Sequence, residues 1–486
     1  MRILVLLTDG FGGHGGIAKF NRDLLTALCN HPDVQEVVAF PRIIAESPGP
    51  LPEKLTYAVE AANSKFQFAK VVLKSLIRRS RFDLIICGHI NLLPLAAMAR
   101  LFMPNQQLCD EPEKKLPMAP DRATSPNLTF ASVLGTESEG LPSAATRTAP
   151  ESKVDRRYRH RDSDVDPPSG SSARIARSQN RVPIALVIHG IEAWHPRSRA
   201  VRHGVPKIAA LISVSEFTRK RFLSWSKLEG IASFILPNCV DLAAFSPGPK
   251  NPGLLASYGL AGRQVIMTLA RLSSGERYKG IDEVLELLPG LAVEHPDFCY
   301  LICGDGDDRP RLMKKAMALG LAVSDFSCAL SSPPRLYQGE VEVSNLRSRD
   351  PMVPQVVFTG RIPESGKADH FRLADAYVMP GWGEGFGIVY LEALACGLPV
   401  VGSKADASRE VLRDGVLGMV VDPKNPDELR AAMVKAVAIR ERKVPEALSD
   451  FSYESFERRC HDILWELTMG DGGTTGQPDH RTADVI

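Results

Sequence analysis

The sequence has no long hydrophobic run. None of its apolar stretches approaches the ~18–20 residues that a membrane-spanning helix needs. The N-terminal apolar run, residues 3–7, is too short for the core of a signal peptide and is followed by Thr8, Asp9 and Gly10. We therefore expect a cytoplasmic protein whose membrane contact, if it has any, is peripheral and at the inner face of the membrane.

The sequence also lacks an excess of charge of one sign. Lys and Arg number 59 and Asp and Glu number 57, which excludes nucleic-acid binding driven by overall charge. The nine cysteines are scattered, and the close pair Cys299 and Cys303 has no His or Cys cluster elsewhere to complete a zinc site. The cysteines are typical of reduced, buried side chains, and no metal is expected.

Short apolar runs alternate with stretches of helical periodicity along most of the chain. The runs are residues 3–7, 37–40, 84–87, 184–188, 211–214 and 233–236, followed by 265–269, 298–303, 356–359, 376–379, 400–402 and 418–421. This alternation predicts an α/β protein with parallel sheets covered by helices. Because 486 residues exceed one hydrophobic core, the two series indicate two Rossmann-like, doubly wound domains.

Breaker-rich segments divide the chain. The stretch 241–253 contains Pro247, Pro249 and Pro252 and is typical of a stiff linker. Periodicity stops at two places, where we expect insertions: a disordered one at about 104–182 and a shorter one at about 323–354. The predicted parts are an N-terminal domain (1–240), a C-terminal domain (241–450), a last helix (451–468) and a flexible tail (469–486).

Glycines follow the first predicted strand. Residues 9–16 read DGFGGHGG, and a helical pattern begins at Ile17. Glycines let the backbone approach an anion closely, and a helix N-terminus offers free N–H groups and partial positive charge. A diphosphate suits such a turn. The alternative is a glycine-rich turn that serves only packing.

Two cations follow the first strand of the second series. Arg271 stands at the end of that strand, and Lys279 precedes a helix. Both are expected at the carboxyl edge of the sheet, where two fixed cations would stabilise a pyrophosphate leaving group and take the role of a metal. The alternative is a solvated basic turn in which Glu276 is the partner.

The most informative stretch is residues 379–399, MPGWGEGFGIVYLEALACGLP. A strand ends there, a glycine-rich loop presents Glu384, and a helix that starts near Phe386 carries Glu392. The two carboxylates are expected on nearly one face, where they would accept hydroxyl groups from two ends of one ligand. The alternative is a helix-entry acid favoured by the helix dipole, together with an exposed glutamate.

Together these segments resemble glycosyltransferase family 4, the retaining, nucleotide-sugar-dependent transferases with the GT-B fold. Further matching pieces cover both halves of the chain: residues 187–190 (VIHG), 213–215 (SVS), 237–241 (PNCVD), 304–306 (GDG) and 358–361 (FTGR). The resemblance implies two Rossmann-like domains that face each other across a cleft. An insertion as long as 104–182 departs from the family pattern.

The resemblance also implies roles for individual residues. The catalytic set is His189, Arg271, Lys279 and Glu384. The donor-binding set is Gly15, Gly16, Arg361, Ile362, Phe386, Gly387, Ile388 and Glu392. Within these sets, the resemblance implies that both cations bind the diphosphate with help from the backbone of Gly15 and Gly16, and that Glu392 binds the ribose. It also implies that Glu384 and the amides of 386–388 hold the donor sugar and that the backbone of 361–362 contacts the base. His189 would lie near the reacting sugar carbon, and its alternative role is packing in the cleft.

The implied activity is transfer of a hexose from a UDP- or GDP-sugar to a glycan or lipid-linked acceptor, without a metal or cofactor and with retention of the anomeric configuration. Two other functions fit the same fold: a non-catalytic nucleotide-sugar-binding protein and a sugar-nucleotide epimerase. A basic amphipathic helix is predicted over residues 66–81 and would suit an anionic membrane, or a solvated surface.

Overall fold

The computed structural model describes residues 1–78, 81–103, 181–196, 198–326, 335–338, 341–342 and 355–469. The predicted insertion at 104–182 lies outside these ranges except for its last two residues, as does most of 323–354 and nearly all of the predicted tail. The described residues belong to one compact unit, so the domain limits at 240 and 450 stay a prediction.

The first sheet has seven parallel strands in the order β3-β2-β1-β4-β5-β6-β7. Its strands are β1 Arg2–Leu7, β2 Glu36–Pro41, β3 Leu55–Tyr57, β4 Leu84–Cys87, β5 Ile184–Ile188, β6 Ala210–Ser213 and β7 Ala232–Ile235. Its helices are α1 Gly16–Asn30, α2 Lys65–Arg78, α3 Leu93–Ala99, α4 Arg199–Gly204 and α5 Glu216–Ser226.

The second sheet has nine strands in the order β12-β11-β10-β13-β9-β8-β14-β15-β16. Its strands are β8 Gln264–Leu269, β9 Phe298–Cys303, β10 Ala322–Asp325, β11 Arg335–Gln338, β12 Val341–Glu342, β13 Gln355–Gly360, β14 Ala376–Val378, β15 Val400–Ser403 and β16 Met419–Val421. The helices of this half are α6 Pro252–Ser257, α7 Ile281–Glu294, α8 Arg309–Ala318, α9 Lys367–Leu373, α10 Ile388–Ala395, α11 Ser408–Val411, α12 Pro426–Ala438 and α13 Tyr453–Met469.

The apolar runs form strands because helices bury both faces of each sheet. Along β1 the side chains alternate between two hydrophobic clusters. Val5 packs in the cluster that contains Phe20 of α1, whereas Leu6 packs in the one that contains Phe68 of α2. A parallel, doubly wound sheet brings the carboxyl ends of its strands to one edge. The segments that follow β1, β5, β8, β13 and β14 carry the predicted site residues.

The second sheet extends beyond its predicted strands. Val323 of β10 pairs with Val356 of β13 in parallel register, and β11 and β12 add two antiparallel strands at the edge. The sequence analysis assigned residues 323–354 to an insertion because β10 is short and ends in Ser324 and Asp325. Strand β3 was not predicted either, because its three residues are too few to show a strand pattern.

The chain passes between the halves twice. It passes first near Val240, whose N–H donates to the carbonyl of Phe451 on the returning segment at 2.9 Å. It then enters α13, which packs on α1, with the rings of Phe456 and Phe20 5.5 Å apart. Near the other end of the contact, Nε2 of His461 donates to the carbonyl of Ala27 at 2.8 Å. Among the described helices, none has the length and apolar character to cross a bilayer.

Candidate active site

Two helix N-termini face each other, one from each half. Gly15 precedes α1 with φ of +87°, and no atom lies within 4 Å of the position that a Cβ there would take. A Cβ at Gly16 would lie 3.7 Å from Cγ2 of Ile388, the first residue of α10. The first N–H groups of both helices have no partner within the helix and are available to an anion.

The turn that leads into α10 is packed on every side. Helix α10 begins at Ile388, two residues later than predicted, because Gly387 adopts a left-handed φ of +88°. The N–H of Glu384 donates to Oδ2 of Asp406 at 2.8 Å. Asp406 also accepts from the N–H of Ser408 at 3.0 Å, and burial raises its pKa to about 6. Asp406 therefore fixes the backbone that presents Glu384.

Lys279 and Glu384 form a buried ion pair with Nζ and Oε2 2.5 Å apart. Lys279 ends a short 3₁₀ segment, and Gly280 follows with φ of +80°. A Cβ at Gly280 would lie 2.6 Å from the carbonyl oxygen of Pro380, so only glycine permits this approach. Burial alone would lower the pKa of Lys279, but Glu384 and Tyr278 outweigh burial and raise it. The structure thus brings together two of the four predicted catalytic residues.

Arg271 has a different environment. Its side chain is 74% exposed, and its guanidinium pairs with the carboxylate of Glu276. This pairing is the one that the sequence analysis gave as the alternative to a diphosphate contact. Arg271 follows the end of β8, at the same edge of the sheet as the predicted donor site. An exposed guanidinium on a flexible side chain can exchange partners at little cost, so Arg271 can leave Glu276 for a diphosphate.

Glu392 is fully buried in α10 rather than exposed. Its Oε1 accepts from Nζ of Lys367 at 3.3 Å, and its Oε2 has no hydrogen-bond partner among the described residues. Burial raises the pKa of Glu392, and Lys367 opposes that effect. A buried carboxylate oxygen without a partner is costly unless a ligand hydroxyl completes it. The exposed-glutamate alternative for this residue is therefore wrong.

His189 follows β5 and is 9% exposed. Its Nε2 lies 3.0 Å from the carbonyl oxygen of Gly88, which assigns the proton to Nε2, and its ring packs edge-on against Phe20 at 5.0 Å. The N–H of His189 donates to Oε1 of Glu192 at 2.6 Å. Packing and hydrogen bonds thus hold the ring in one orientation at the carboxyl edge of the first sheet.

The two halves touch at Gly385. A Cβ there would lie 2.1 Å from the carbonyl oxygen of His189 and 2.5 Å from Cα of Gly190. The carbonyl of Gly385 accepts from Oγ of Ser215 at 2.7 Å and from Oγ1 of Thr218 at 3.3 Å. This contact brings the loop of His189 against the loop of Glu384.

The remaining predicted residues lie on the second half. Arg361 and Ile362 follow β13 directly; Arg361 is exposed and Ile362 packs against the large core cluster. Phe386 is 5% exposed, with its ring 6.1 Å from that of Phe451. The structure thus places the predicted donor residues of the second half around the carboxyl edge of the second sheet, whereas Gly15 and Gly16 lie at the start of α1 in the first half. Their roles stay predictions.

Sequence reasoning missed three residues of this site. Asp406 and Lys367 orient Glu384 and Glu392, and Asp9, two residues after the end of β1, has a pKa that burial raises. Only Asp9 carried a local signal, because it stands between the first strand and the glycines that follow it. Within the described ranges, no cluster of three or more His, Cys, Asp or Glu side chains is arranged to hold a metal ion. All seven described cysteines are buried and unpaired.

Comparison with known proteins shows which proteins the chain is similar to. Residues 336–438 match the family model described as "Glycosyl transferases group 1". A GDP-mannose-dependent alpha-(1-6)-phosphatidylinositol monomannoside mannosyltransferase from Mycolicibacterium smegmatis is 32% identical over 271 residues, 53% of this chain and 62% of that protein. A phosphatidyl-myo-inositol mannosyltransferase from Mycobacterium tuberculosis is 31% identical over 292 residues, 58% of this chain and 65% of that protein. The match spans less than two thirds of either relative.

Solved structures show the fold. HepE from Anabaena, in complex with UDP and glucose, superposes with a TM-score of 0.57 at 16% identity and covers 96% of this chain and 99% of that one. The lipopolysaccharide outer core galactosyltransferase WaaB gives a TM-score of 0.55 at 14% identity, with 96% and 99% covered. The comparisons confirm the predicted GT-B fold and the predicted resemblance to family 4 glycosyltransferases.

Proposed function

Because the chain resembles the family 4 glycosyltransferases and has the GT-B fold, we propose that it is a retaining glycosyltransferase that moves a hexose from a nucleotide-diphosphate sugar to a glycan or lipid-linked acceptor. The observation that carries the proposal is the pair of opposed helix N-termini at Gly16 and Ile388, beside the buried Lys279–Glu384 pair. Backbone N–H groups and a fixed cation suit the charge that develops on a leaving diphosphate.

In this proposal the diphosphate lies between α1 and α10. Lys279 contacts it, and Arg271 leaves Glu276 to bind it from the solvent side. Glu392 accepts a ribose hydroxyl at its unpartnered Oε2. Glu384 and the amides that follow it hold the donor sugar, which sets the anomeric carbon toward His189. The acceptor hydroxyl attacks on the face of the leaving phosphate, whose oxygen takes the proton, and the configuration is retained.

We propose that these cations replace a metal ion. GDP-mannose is the first donor to test, since the M. smegmatis relative is named for it, and UDP-glucose is the second, since HepE was also crystallised with it. A phosphatidylinositol-type lipid is the first acceptor to test, for the same reason.

The test is a thermal-shift titration with UDP- and GDP-sugars and the free diphosphates in EDTA, followed by product analysis with an acceptor. A ligand that binds only the native state raises Tm by mass action. A shift in EDTA followed by a new glycosidic product supports the proposal. Binding without turnover would instead favour a nucleotide-sugar-binding protein, and consumption of the donor without acceptor would favour an epimerase.

A second proposal concerns location: a cytoplasmic protein that contacts the membrane through α2. The helix buries Phe68, Val72 and Leu76 and exposes Lys65 and Lys70. Phe66 is 90% exposed beside these lysines. Exposed aromatic and basic side chains on one helix suit the surface of an anionic bilayer. Sedimentation with phosphatidylserine vesicles at low salt tests this, and absence of binding would contradict it.

A further inference from the structure

The N-terminal end of α5 holds the turn before α10 from the opposite half of the molecule. Oγ of Ser215 donates to the carbonyl oxygen of Gly385 at 2.7 Å, and Oγ1 of Thr218 donates to the same atom at 3.3 Å. Both hydroxyl groups are buried. Ser215 also caps α5 by accepting from the N–H of Thr218 at 3.1 Å. One carbonyl of the candidate donor turn is therefore fixed by two side chains of the other half.

A carboxylate from the second half holds the same end of α5. Glu410 of α11 accepts the N–H groups of Glu216 at 2.8 Å and of Phe217 at 2.5 Å. These are the first N–H groups of the helix, which have no partner inside it, and the partial positive charge of a helix N-terminus favours a carboxylate. Burial raises the pKa of Glu410, and the two backbone hydrogen bonds oppose that effect. In all four hydrogen bonds the donor belongs to the N-terminal end of α5 and the acceptor belongs to the second half.

The peptide between Gly385 and Phe386 links this contact to the chemistry. In a trans peptide the C=O and the following N–H point in opposite directions. Because Ser215 and Thr218 hold the Gly385 carbonyl, the N–H of Phe386 must point away from α5. Rotation of this peptide would break both hydrogen bonds. Phe386 is one of the residues whose amide is predicted to hold the donor sugar.

We propose that Ser215, Thr218 and Glu410 are positioning residues that orient the Phe386 N–H toward the donor sugar only while the two halves are in contact. The inference rests on the proposed function and adds a coupling to it. When the halves separate, the Gly385 carbonyl loses both donors and the amide loses its fixed direction. The donor can then bind or leave, but the turn is not arranged for transfer.

The experiment compares two variants with two matched controls. Ser215→Ala removes a hydroxyl group that links the two halves. Its control is Ser198→Ala, because the Ser198 hydroxyl caps α4 by accepting from the N–H of Val201 within the first half. Glu410→Gln places an amide NH2 against a backbone N–H across the contact. Its control is Glu428→Gln, since Glu428 accepts the N–H of Asp422 within the second half. The readouts are the radius of gyration by small-angle scattering without ligand, and kcat and KM for the donor.

We expect Ser215→Ala and Glu410→Gln to enlarge the radius of gyration and to lower kcat by about 10-fold to 100-fold, with KM for the donor changed less than about 3-fold. The controls should stay within about 2-fold of the wild type in kcat and keep its radius of gyration. An unchanged kcat in both test variants would overturn the positioning role, even if the radius increased. Equal losses in test variants and controls would overturn it as well.

The two proposals fail in different ways. If the wild type transfers no sugar from any donor, the proposed function is wrong. Small-angle scattering alone then decides whether Ser215 and Glu410 hold the two halves in contact. A wild-type radius of gyration in both test variants would show that these residues do not hold the halves in contact. A larger radius in both variants, with controls unchanged, would show that they do.

Discussion

The two glycine-rich turns look alike in sequence and differ in what the glycines do. At Gly15, before α1, the position of a Cβ is open, with nothing within 4 Å. At Gly385, before α10, a Cβ would lie 2.1 Å from the carbonyl oxygen of His189. At Gly383 it would lie 2.5 Å from Cγ of Tyr278. Within the first turn, Gly12 is packed, since a Cβ there would lie 2.3 Å from the carbonyl oxygen of Glu46, but the end of the turn at Gly15 keeps a space free. The second turn lets protein segments pack together at Gly383 and Gly385. Glycine content alone does not distinguish a binding turn from a packing turn.

The charges differ in the same way. In the first turn, His14 pairs with Glu46 at 3.0 Å, and both side chains are exposed. In the second turn, Glu384 and Lys279 pair at 2.5 Å with side chains only 17% and 16% exposed. The ion pair at the second turn is thus much less exposed to solvent than the pair at the first turn. The following changes would break or sharpen this comparison.

The largest effect is expected for Glu384→Ala. It leaves the buried Lys279 ammonium without a partner, and breaking a buried pair in this way costs about 3–5 kcal/mol of unfolding free energy. Transfer should also be abolished. Urea unfolding and product formation measure the two effects. His14→Ala, the counterpart in the first turn, should change stability by less than about 1 kcal/mol, and a loss equal to that of Glu384→Ala would end the comparison.

Gly385→Ala and Gly16→Ala should move stability in opposite directions. The methyl group at 385 must displace backbone of the other half, for which we expect a cost of about 1–3 kcal/mol. The methyl group at 16 meets only Cγ2 of Ile388 at 3.7 Å, and alanine in the first helical position should raise stability by about 0.4–1 kcal/mol. Thermal unfolding of both variants checks the signs. The same methyl at 16 should lower nucleoside-diphosphate affinity, which calorimetry would show.

Arg271→Ala should affect ligand binding without affecting the fold. Its guanidinium is 74% exposed, so we expect an unchanged Tm in the absence of ligand. If it binds the diphosphate, the variant should lose about 10-fold in affinity for UDP or GDP, the size of one charge-assisted contact. Isothermal titration measures this. An unchanged affinity would leave Glu276 as its functional partner.

The last prediction concerns the pH dependence of stability. Burial raises the pKa of Asp406 to about 6, above its unfolded value, so the folded state binds the proton more tightly. The stabilisation is present at low pH and is lost as pH rises from about 4 to about 6, by up to about 3 kcal/mol. Relative to Asp406→Asn, the wild type should therefore be more stable at pH 4 than at pH 7. For Asp307, whose pKa is lowered by hydrogen bonds from Ser274, the difference should run the other way.

The sequence was sufficient for features that depend on local pattern. Apolar runs buried on both faces predicted twelve of the strands, and the strand-to-helix glycines predicted both turns at the cleft. Short strands with polar ends, such as β3 and β10, have no such pattern. Helix α10 starts later than predicted because a left-handed Gly387 was read as part of the helix.

Contacts between distant segments were beyond the sequence. Asp406 fixes the N–H of Glu384 from 22 positions away, and Ser215 reaches Gly385 across 170 positions. Neither residue type indicates such a distant partner, because serine and aspartate side chains also often bond to the backbone of their own segment. For Arg271 the sequence analysis gave Glu276 as the alternative partner, but the exposure of the Arg271 side chain depends on the fold and could not be predicted from the sequence.

The two crossings of the chain have a mechanical consequence. The segments at Val240 and Phe451 are hydrogen-bonded side by side at 2.9 Å. Two domains joined by two adjacent segments are expected to rotate about one hinge axis and to resist rotation about other axes. We infer that this rotation returns the turn at Gly385 to the same place on α5 each time. A single flexible tether would let the halves meet in many orientations, few of which would align four hydrogen bonds.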